Sequence, residues 1–281
     1  MASGKRIGFV DYNLENYHAN VYLKLLREDL ASRGYAVAGC TGLLEKEGRA
    51  WAAKNAVPYF ATAAELDGAV DFYVVLAPSN PETHWKLCKQ TFPFGKPTYV
   101  DKTFAPDLAA AKRILTLADK CGVAMQTTSA LRYTNVQERV RQLGADKVQH
   151  MVTWGGGSSF GEYAIHPLEL AISCMGPKVR AMMRRGTGVQ SQLLLDFAKG
   201  RTAVVNVYAH SATPFAAALT TEQSTEYLAV DSAAIFRNTA AAFLDLFDTG
   251  QPGIDRKETL AIRRILDLAG KKRALKGFVA L

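Results

Sequence analysis

In the first half of the chain, short apolar runs alternate with longer mixed stretches of helical period. KRIGFV (residues 5–10) reads as a strand, and the stretch after it carries Val21, Leu25 and Leu26 on one helical face, ending near Gly34. YAVAG (35–39) is a second strand, and RAWAAKNAV is a helix stopped by Pro58. DFYVVLA (71–77) is almost wholly apolar, as expected of a strand covered on both faces. The next helix holds His84, Leu87 and Cys88, and PTYV is again a strand. Residues 106–120 read as a helix with Pro106 and Asp107 in its first turn, the stripe Leu108, Ala111, Leu115 and Ala118, and Gly122 at its end. VAMQT follows as another strand. This alternation predicts an α/β fold whose N-terminal part, residues 1–126, is a Rossmann-type doubly wound parallel sheet.

From about residue 147 the rhythm changes. KVQHMVTW, SQLLLDF, TAVVNVYA and STEYLAV are strand-like with few helices between them, and AKGR joins the second and third as a hairpin. Two helices close the chain. One gathers Phe236, Ala240, Phe243, Leu244 and Phe247, the other Ile262, Ile265, Leu266 and Ala269. The expectation is a C-terminal α+β domain over residues 127–281, with a mostly antiparallel open sheet. Its uncovered face would pair with a second subunit, making the chain a homo-oligomer, dimer or tetramer.

The 281 residues, 48% hydrophobic and 21% charged, accommodate two globular domains. No apolar run approaches a membrane span, and the amino terminus shows no signal-peptide pattern, so no membrane partner is expected. Cys40, Cys88, Cys121 and Cys174 are widely and irregularly spaced, which argues against a metal site or a disulfide framework and for a cytoplasmic setting. The basic residues behind the net charge of +8 gather at 178–185 and 256–276, and in the second stretch they alternate with an apolar helical stripe. That is the pattern of a solvated face, and no nucleic-acid signature accompanies it.

The chemistry concentrates at TYVDKTF (98–104), which sets Asp101 and Lys102 at the end of a short apolar strand. Ligands of open parallel sheets lie beyond the carboxyl ends of the strands. A lysine there either faces a bound cofactor and substrate or pairs with its neighbouring carboxylate. His166, before Pro167, is either a helix-start residue or a general base. Gly155, Gly156, Gly157, Ser158 and Ser159 read as a mobile loop over a cleft or as a flexible connection. His18, His150 and His210 show no partner in the sequence and read as structural.

Taken together, DFYVVLAPSNPETH, GKPTYVDKTFAPDLAAAKRI, ALRY and GEYAIHPLELAISCMG resemble the Gfo/Idh/MocA oxidoreductase family, which includes glucose-fructose oxidoreductase and inositol dehydrogenase. The likeness runs from about residue 5 to the C-terminus. The family's Thr-Pro-x-x-x-His is similar to the stretch Ala77 to His84, its Glu-Lys-Pro to Asp101-Lys102-Thr103, and its Asp-x-Gly-x-His to Glu162 through His166, with Glu169 three residues on. The resemblance implies hydride transfer between NAD or NADP and a secondary hydroxyl of a sugar, polyol or related compound. It implies Lys102, His166 and Glu162 as catalytic residues, with Lys102 and His166 meeting across the domain cleft. It implies Lys102, Arg132, Tyr133, Glu162 and His166 as substrate ligands. Cofactor contacts would come from Asp11, Tyr12, Asn13, Cys40, Thr41, Ala77, Pro78, Asn80, His84, Asp101 and Lys102. Asn80 would touch the nicotinamide ribose or shape its turn, His84 would pack or cap its helix, and Arg132 and Tyr133 would reach the substrate or pack at the hinge.

The chain departs from the family where the dinucleotide phosphates belong. Aligned on His18, the family's Gly-x-Gly-x-x-Gly falls on Val10, Tyr12 and Glu15. Tyrosine and glutamate add bulk where backbone should approach the pyrophosphate, and Asp11 and Glu15 add like charge. Cys40 or Thr41 stands where an acidic residue would bind the ribose. A second class therefore stays open: a scaffold that binds a sugar-like ligand, assists a partner, or performs non-redox chemistry such as elimination.

Overall fold

The computed structural model describes residues 5–281. They form two compact units, one made of the chain up to Thr128 together with Phe236–Ile254, the other of Ser129–Ile235 and Asp255–Leu281. In the first unit, β1 (Lys5–Asp11), α1 (Tyr17–Arg27), β2 (Tyr35–Gly42), α2 (Glu45–Lys54), α3 (Ala63–Asp67), β3 (Phe72–Val75), α4 (His84–Thr91), β4 (Thr98–Val100), α5 (Leu108–Lys120) and β5 (Met125–Thr127) follow in chain order. The strands make a parallel sheet in the order β2-β1-β3-β4-β5. From β1 the chain winds outward first to β2 and then, in the other direction, through β3, so the switch point lies between β1 and β3. The central strands are inaccessible on both faces, which is why β3 reads as an unbroken apolar run. Asp107 is the N-cap of α5 and not a residue of its first turn. Its carboxylate accepts from Ala110 N at 2.7 Å, so the helix starts two residues later than Pro106 suggests.

The second unit contains α6 (Asn135–Leu143), β6 (His150–Gly157), α7 (Phe160–Tyr163), α8 (Ile165–Met175), β7 (Val179–Arg185), β8 (Gln190–Phe197), β9 (Thr202–Ala209), β10 (Ala216–Thr220) and β11 (Thr225–Ala229). After α9 (Ile235–Thr249), the chain closes with α10 (Arg256–Ala269) and β12 (Val279–Ala280). Its sheet has the order β11-β10-β6-β9-β8-β7-β12 and is antiparallel except for the β6–β9 pair. The expected hairpin at AKGR joins β8 to β9, with Lys199 and Gly200 at φ 63° and 72°. Strand residues alternate between helix-covered positions such as Met151, Val205 and Leu193 and half-exposed ones on the opposite face. One register row crosses that opposite face through Tyr227, Ala218, Val152, Val204, Leu194 and Met183.

Two sequence readings change here. The run Gly155–Gly157 is the end of strand β6, not a loop. A Cβ on Gly157 would lie 2.0 Å from the Tyr163 ring, and one on Gly155 3.0 Å from Phe215 and Pro167. The glycines are there for close approach of α7 and α8. The second change concerns α9, which the sequence reading left with the C-terminal domain. Its apolar face belongs to the first unit's core, where Phe243 meets Tyr22 and Tyr99 at ring distances of 5.4 and 5.1 Å and Phe247 stacks on Phe72 at 4.6 Å. Helical period says which face is apolar, not which sheet will cover it. Among the described residues no helix is long and apolar enough to cross a membrane.

Phe243 is fully enclosed, so Phe243→Ala should lower the unfolding free energy by about 3–5 kcal/mol. Urea denaturation followed by tyrosine fluorescence checks this, and a loss below about 1 kcal/mol would show that α9 is not part of that core.

Candidate functional site

Strand β4 ends at Val100, and the next residue, Asp101, is 1% exposed. A buried carboxylate is costly unless it is paired. Its partner is His18 in the first turn of α1, with Nδ1 2.5 Å from Asp101 Oδ2. The backbone N–H of Lys102 donates to Oδ1 at 2.8 Å, and Tyr99 Oη lies 3.3 Å from the same oxygen while donating to Thr128 O at 3.0 Å. Burial pushes the Asp101 carboxyl up, but His18, Lys102 and these donors outweigh it and hold the group below its usual range. The sequence found no partner for His18 because that partner is 83 positions away. Lys102 itself is 6% exposed, and its ammonium is one of the charges that draw Asp101 down. The Lys102–Thr103 peptide bond is cis.

The β1–α1 loop is built from side chains in place of glycines. Asp11 is inaccessible, and its carboxyl accepts from Asn16 Nδ2 at 2.7 Å, from Asn13 N at 3.2 Å and from the N–H groups of Tyr12 and Ala77. Asn13 Oδ1 accepts from Glu15 N at 3.0 Å, and Asn16 Oδ1 caps α1 through Ala19 N at 3.0 Å. Burial raises the Asp11 carboxyl to about 7 against the lowering effect of these donors. Glu15 points to solvent and pairs with Lys54 at 3.4 Å. Asp11, expected beside the cofactor, borders the cleft beyond β1 and β2, while its carboxyl is bonded within the loop.

Beyond β1 and β2 opens a cleft of about 260 Å³, walled by Val10, Thr41, Gly42, Thr62, Leu87 and Phe94 among others. Thr41 lines it. Cys40 does not: its side chain is inaccessible and burial pushes its thiol up to about 12. Residues 61–64, Leu87, Gln90 and Phe94 carry no motif, and the sequence reading missed them. After β3, Ala77 adopts φ 65° with Pro78 buried behind it, while Asn80 shapes the next turn by donating to Glu82 Oε1 at 3.0 Å. His84 is inaccessible, with Nδ1 2.9 Å from Phe104 O and Nε2 against Leu76 O. It ties the loop after β4 to the end of β3, and a cofactor has no access to it.

In the second unit His166 is the second residue of α8, half-buried, with the rings of Tyr163 and Phe215 at 5.6 and 5.7 Å. Glu162 is on α7, where it accepts from Ser158 Oγ at 2.8 Å. Arg132, expected to reach the substrate or to pack at the hinge, is held between two carboxylates. Its Nε lies 2.8 Å from Glu169 Oε1 and its Nη1 2.7 Å from Glu258 Oε2. Burial alone would lower this guanidinium, but Glu169 and Glu258 raise it. Glu169 also accepts from Ser129 N at 2.6 Å, so the pair anchors the start of the unit to α8. Tyr133, which follows, is half-buried.

A dinucleotide fits this edge at two places and is opposed at a third. The cleft at the ends of β1 and β2 is concave, uncharged on most of its wall and of a size for an adenosine group. The buried Lys102 end of β4 suits a reacting centre. The crook between them, where phosphates belong, holds the Asp11 carboxyl.

The lowered Asp101 carboxyl adds stability above its unfolded value of about 3.9 and loses it as pH falls through the folded value. Asp101→Asn should therefore cost about 3 kcal/mol near pH 7, with the gap from wild type narrowing below about pH 4. Urea titrations at the two pH values test this, and a pH-independent gap would mean that the charge of Asp101 is not what stabilises the strand end.

No protein-family model matches the chain, and no curated protein sequence matches it. Solved structures do. An oxidoreductase from Agrobacterium radiobacter in complex with NAD+, L-tartaric acid and magnesium aligns over 99% of this chain and 98% of its own, with a TM-score of 0.78 at 13% identity. Scyllo-inositol dehydrogenase from Lactobacillus casei aligns over 98% and 97%, with a TM-score of 0.78 at 11% identity. GenD2 from gentamicin A biosynthesis, in complex with NAD, aligns over 99% and 97%, with a TM-score of 0.78 at 16% identity. Over nearly its whole length the chain shares the fold of these structures, an oxidoreductase and an inositol dehydrogenase among them.

Proposed function

We propose that the protein is a nicotinamide-dependent oxidoreductase acting on a secondary hydroxyl of a sugar, polyol or related compound. The observation that carries this reading is Lys102: a lysine nine-tenths enclosed at the carboxyl end of β4, beside the buried His18–Asp101 pair, in a fold shared with an oxidoreductase and with GenD2, both solved in complex with NAD. Bound nicotinamide would supply hydride exchange. The chain supplies the rest. Lys102 stabilises the alkoxide that develops on the substrate oxygen. His166 takes or returns the hydroxyl proton, its unperturbed range lying near neutrality. Glu162 binds a neighbouring hydroxyl or orients the imidazole. Thr41 and the cleft around it receive the adenosine end.

A second reading is favoured by the filled crook at Asp11, namely a protein that keeps the scaffold and binds a sugar-like ligand, or eliminates from it, without redox turnover. Titration with NAD+ and NADP+ separates the two. Binding of either cofactor by thermal shift or nicotinamide fluorescence is expected, and no binding of either at millimolar concentration would reject the oxidoreductase. Lys102→Ala should lower turnover by about a thousandfold or more while the chain still folds cooperatively. Full activity in that variant would remove Lys102 from the chemistry.

The reading extends to assembly. The apolar row Tyr227, Ala218, Val152, Val204, Leu194 and Met183 supports pairing of two copies through the open sheet face, because monomers rarely leave such a surface to water. Wild type should sediment as a dimer or tetramer and Val204→Glu as a monomer. A monomeric wild type at micromolar concentration would end this part of the proposal.

A further inference from the structure

The end of β1, the loop after it and the turn after β3 surround the Asp11 carboxyl with N–H groups. Asn16 Nδ2 donates at 2.7 Å and Asn13 N at 3.2 Å, and the backbone N–H groups of Tyr12 and Ala77 point at the same carboxyl. Two further loop amides are also engaged, Glu15 N with Asn13 Oδ1 at 3.0 Å and Asn16 N with Leu14 O at 2.8 Å. Ala77 takes part through a left-handed backbone, φ 65°, a conformation that an alanine adopts at some cost and that persists where its surroundings hold it.

Converging backbone N–H groups ahead of a helix start form a receptacle for an anion. In doubly wound folds the first strand-to-helix turn presents such groups to the pyrophosphate of a dinucleotide. Here a carboxyl group already fills the receptacle, and it belongs to the chain. The carboxyl is fully enclosed and is anchored to α1 through Asn16, which also caps that helix. The loop is thereby held in shape without glycine.

We propose that Asp11 is a built-in substitute for a dinucleotide phosphate: it holds the β1–α1 loop as a bound phosphate would, and it competes with an incoming cofactor for the N–H groups of Tyr12, Asn13 and Ala77. The inference rests on the oxidoreductase reading for its physiological ligand. It makes Asp11 a residue that sets cofactor affinity, with the adenosine cleft and the Lys102 end left to supply what the phosphate contacts do not.

The test uses the full chain as wild type, Asp11→Ala and Asp11→Asn, with inorganic phosphate, NAD+ and NADP+ as probes. Removing the carboxyl vacates the receptacle. Inorganic phosphate should raise the melting temperature of Asp11→Ala and leave that of wild type unmoved. By calorimetry, Asp11→Ala should bind NAD+ or NADP+ about tenfold or more tighter than wild type. Asp11→Asn keeps the shape but not the charge and should gain affinity by a smaller factor. It carries the test if the alanine variant does not fold. Equal response of all three proteins to phosphate, or dinucleotide affinity that is the same or weaker in both variants, would overturn the proposal. If phosphate stabilises only Asp11→Ala while no dinucleotide binds any of the three, the substitute-anion proposal stands and the oxidoreductase reading falls. If dinucleotides bind all three alike, that reading stands and the proposal falls.

Discussion

The ion pair between His18 and Asp101 is the constraint on which the candidate site depends. Asp101 directly follows the last residue of β4, its N–H still bonded to Val75 O at 2.8 Å, and no water reaches its carboxylate to solvate a charge. An imidazole from α1 answers that charge, so the first helix and the fourth strand are fixed to each other through side chains rather than through the sheet. Lys102 inherits the position. Its own N–H bonds the same carboxylate, which sets the direction in which the chain leaves the strand.

Asp11 and Asp101 are both enclosed and belong to the same parallel sheet, yet they shift in opposite directions. The difference lies in what faces them. Asp101 meets cations, and charge–charge attraction outweighs the loss of water. Asp11 meets neutral amides only, and these do not fully compensate its burial. One carboxylate is suited to fixing an ammonium in place, the other to standing where a ligand's negative group would be. The same amino acid performs both tasks because its surroundings differ.

Much of the fold was legible because strands covered on both faces must be apolar throughout and helices on a sheet must carry a stripe. Both patterns are local. The short α3, the strand β7 hidden in a basic run and the small-residue strand β10 were not legible, since alanine and arginine carry little periodic signal. Lys102 could be placed from TYVDKTF because strand and site are contiguous there. His18 could not be matched to Asp101, nor Arg132 to Glu169 and Glu258, because complementarity between distant residues leaves no mark on spacing. Glycine misled in both directions. At Gly155–Gly157 it permits close packing and not mobility, and its absence at 10–15 reflects a loop closed by its own side chains.

The return of α9 to the first unit affects how the molecule can be made. Until residues 236–254 have left the ribosome, Tyr22, Tyr99 and Phe72 have no lid of aromatic rings above them. Most multi-unit chains finish their leading part while the rest is still being translated. This one holds back the last piece of its leading part until residues 129–235 have been translated, so a nascent chain carries an unsealed apolar surface through that stretch, and its first unit gains full cooperativity only once residues 236–254 have emerged.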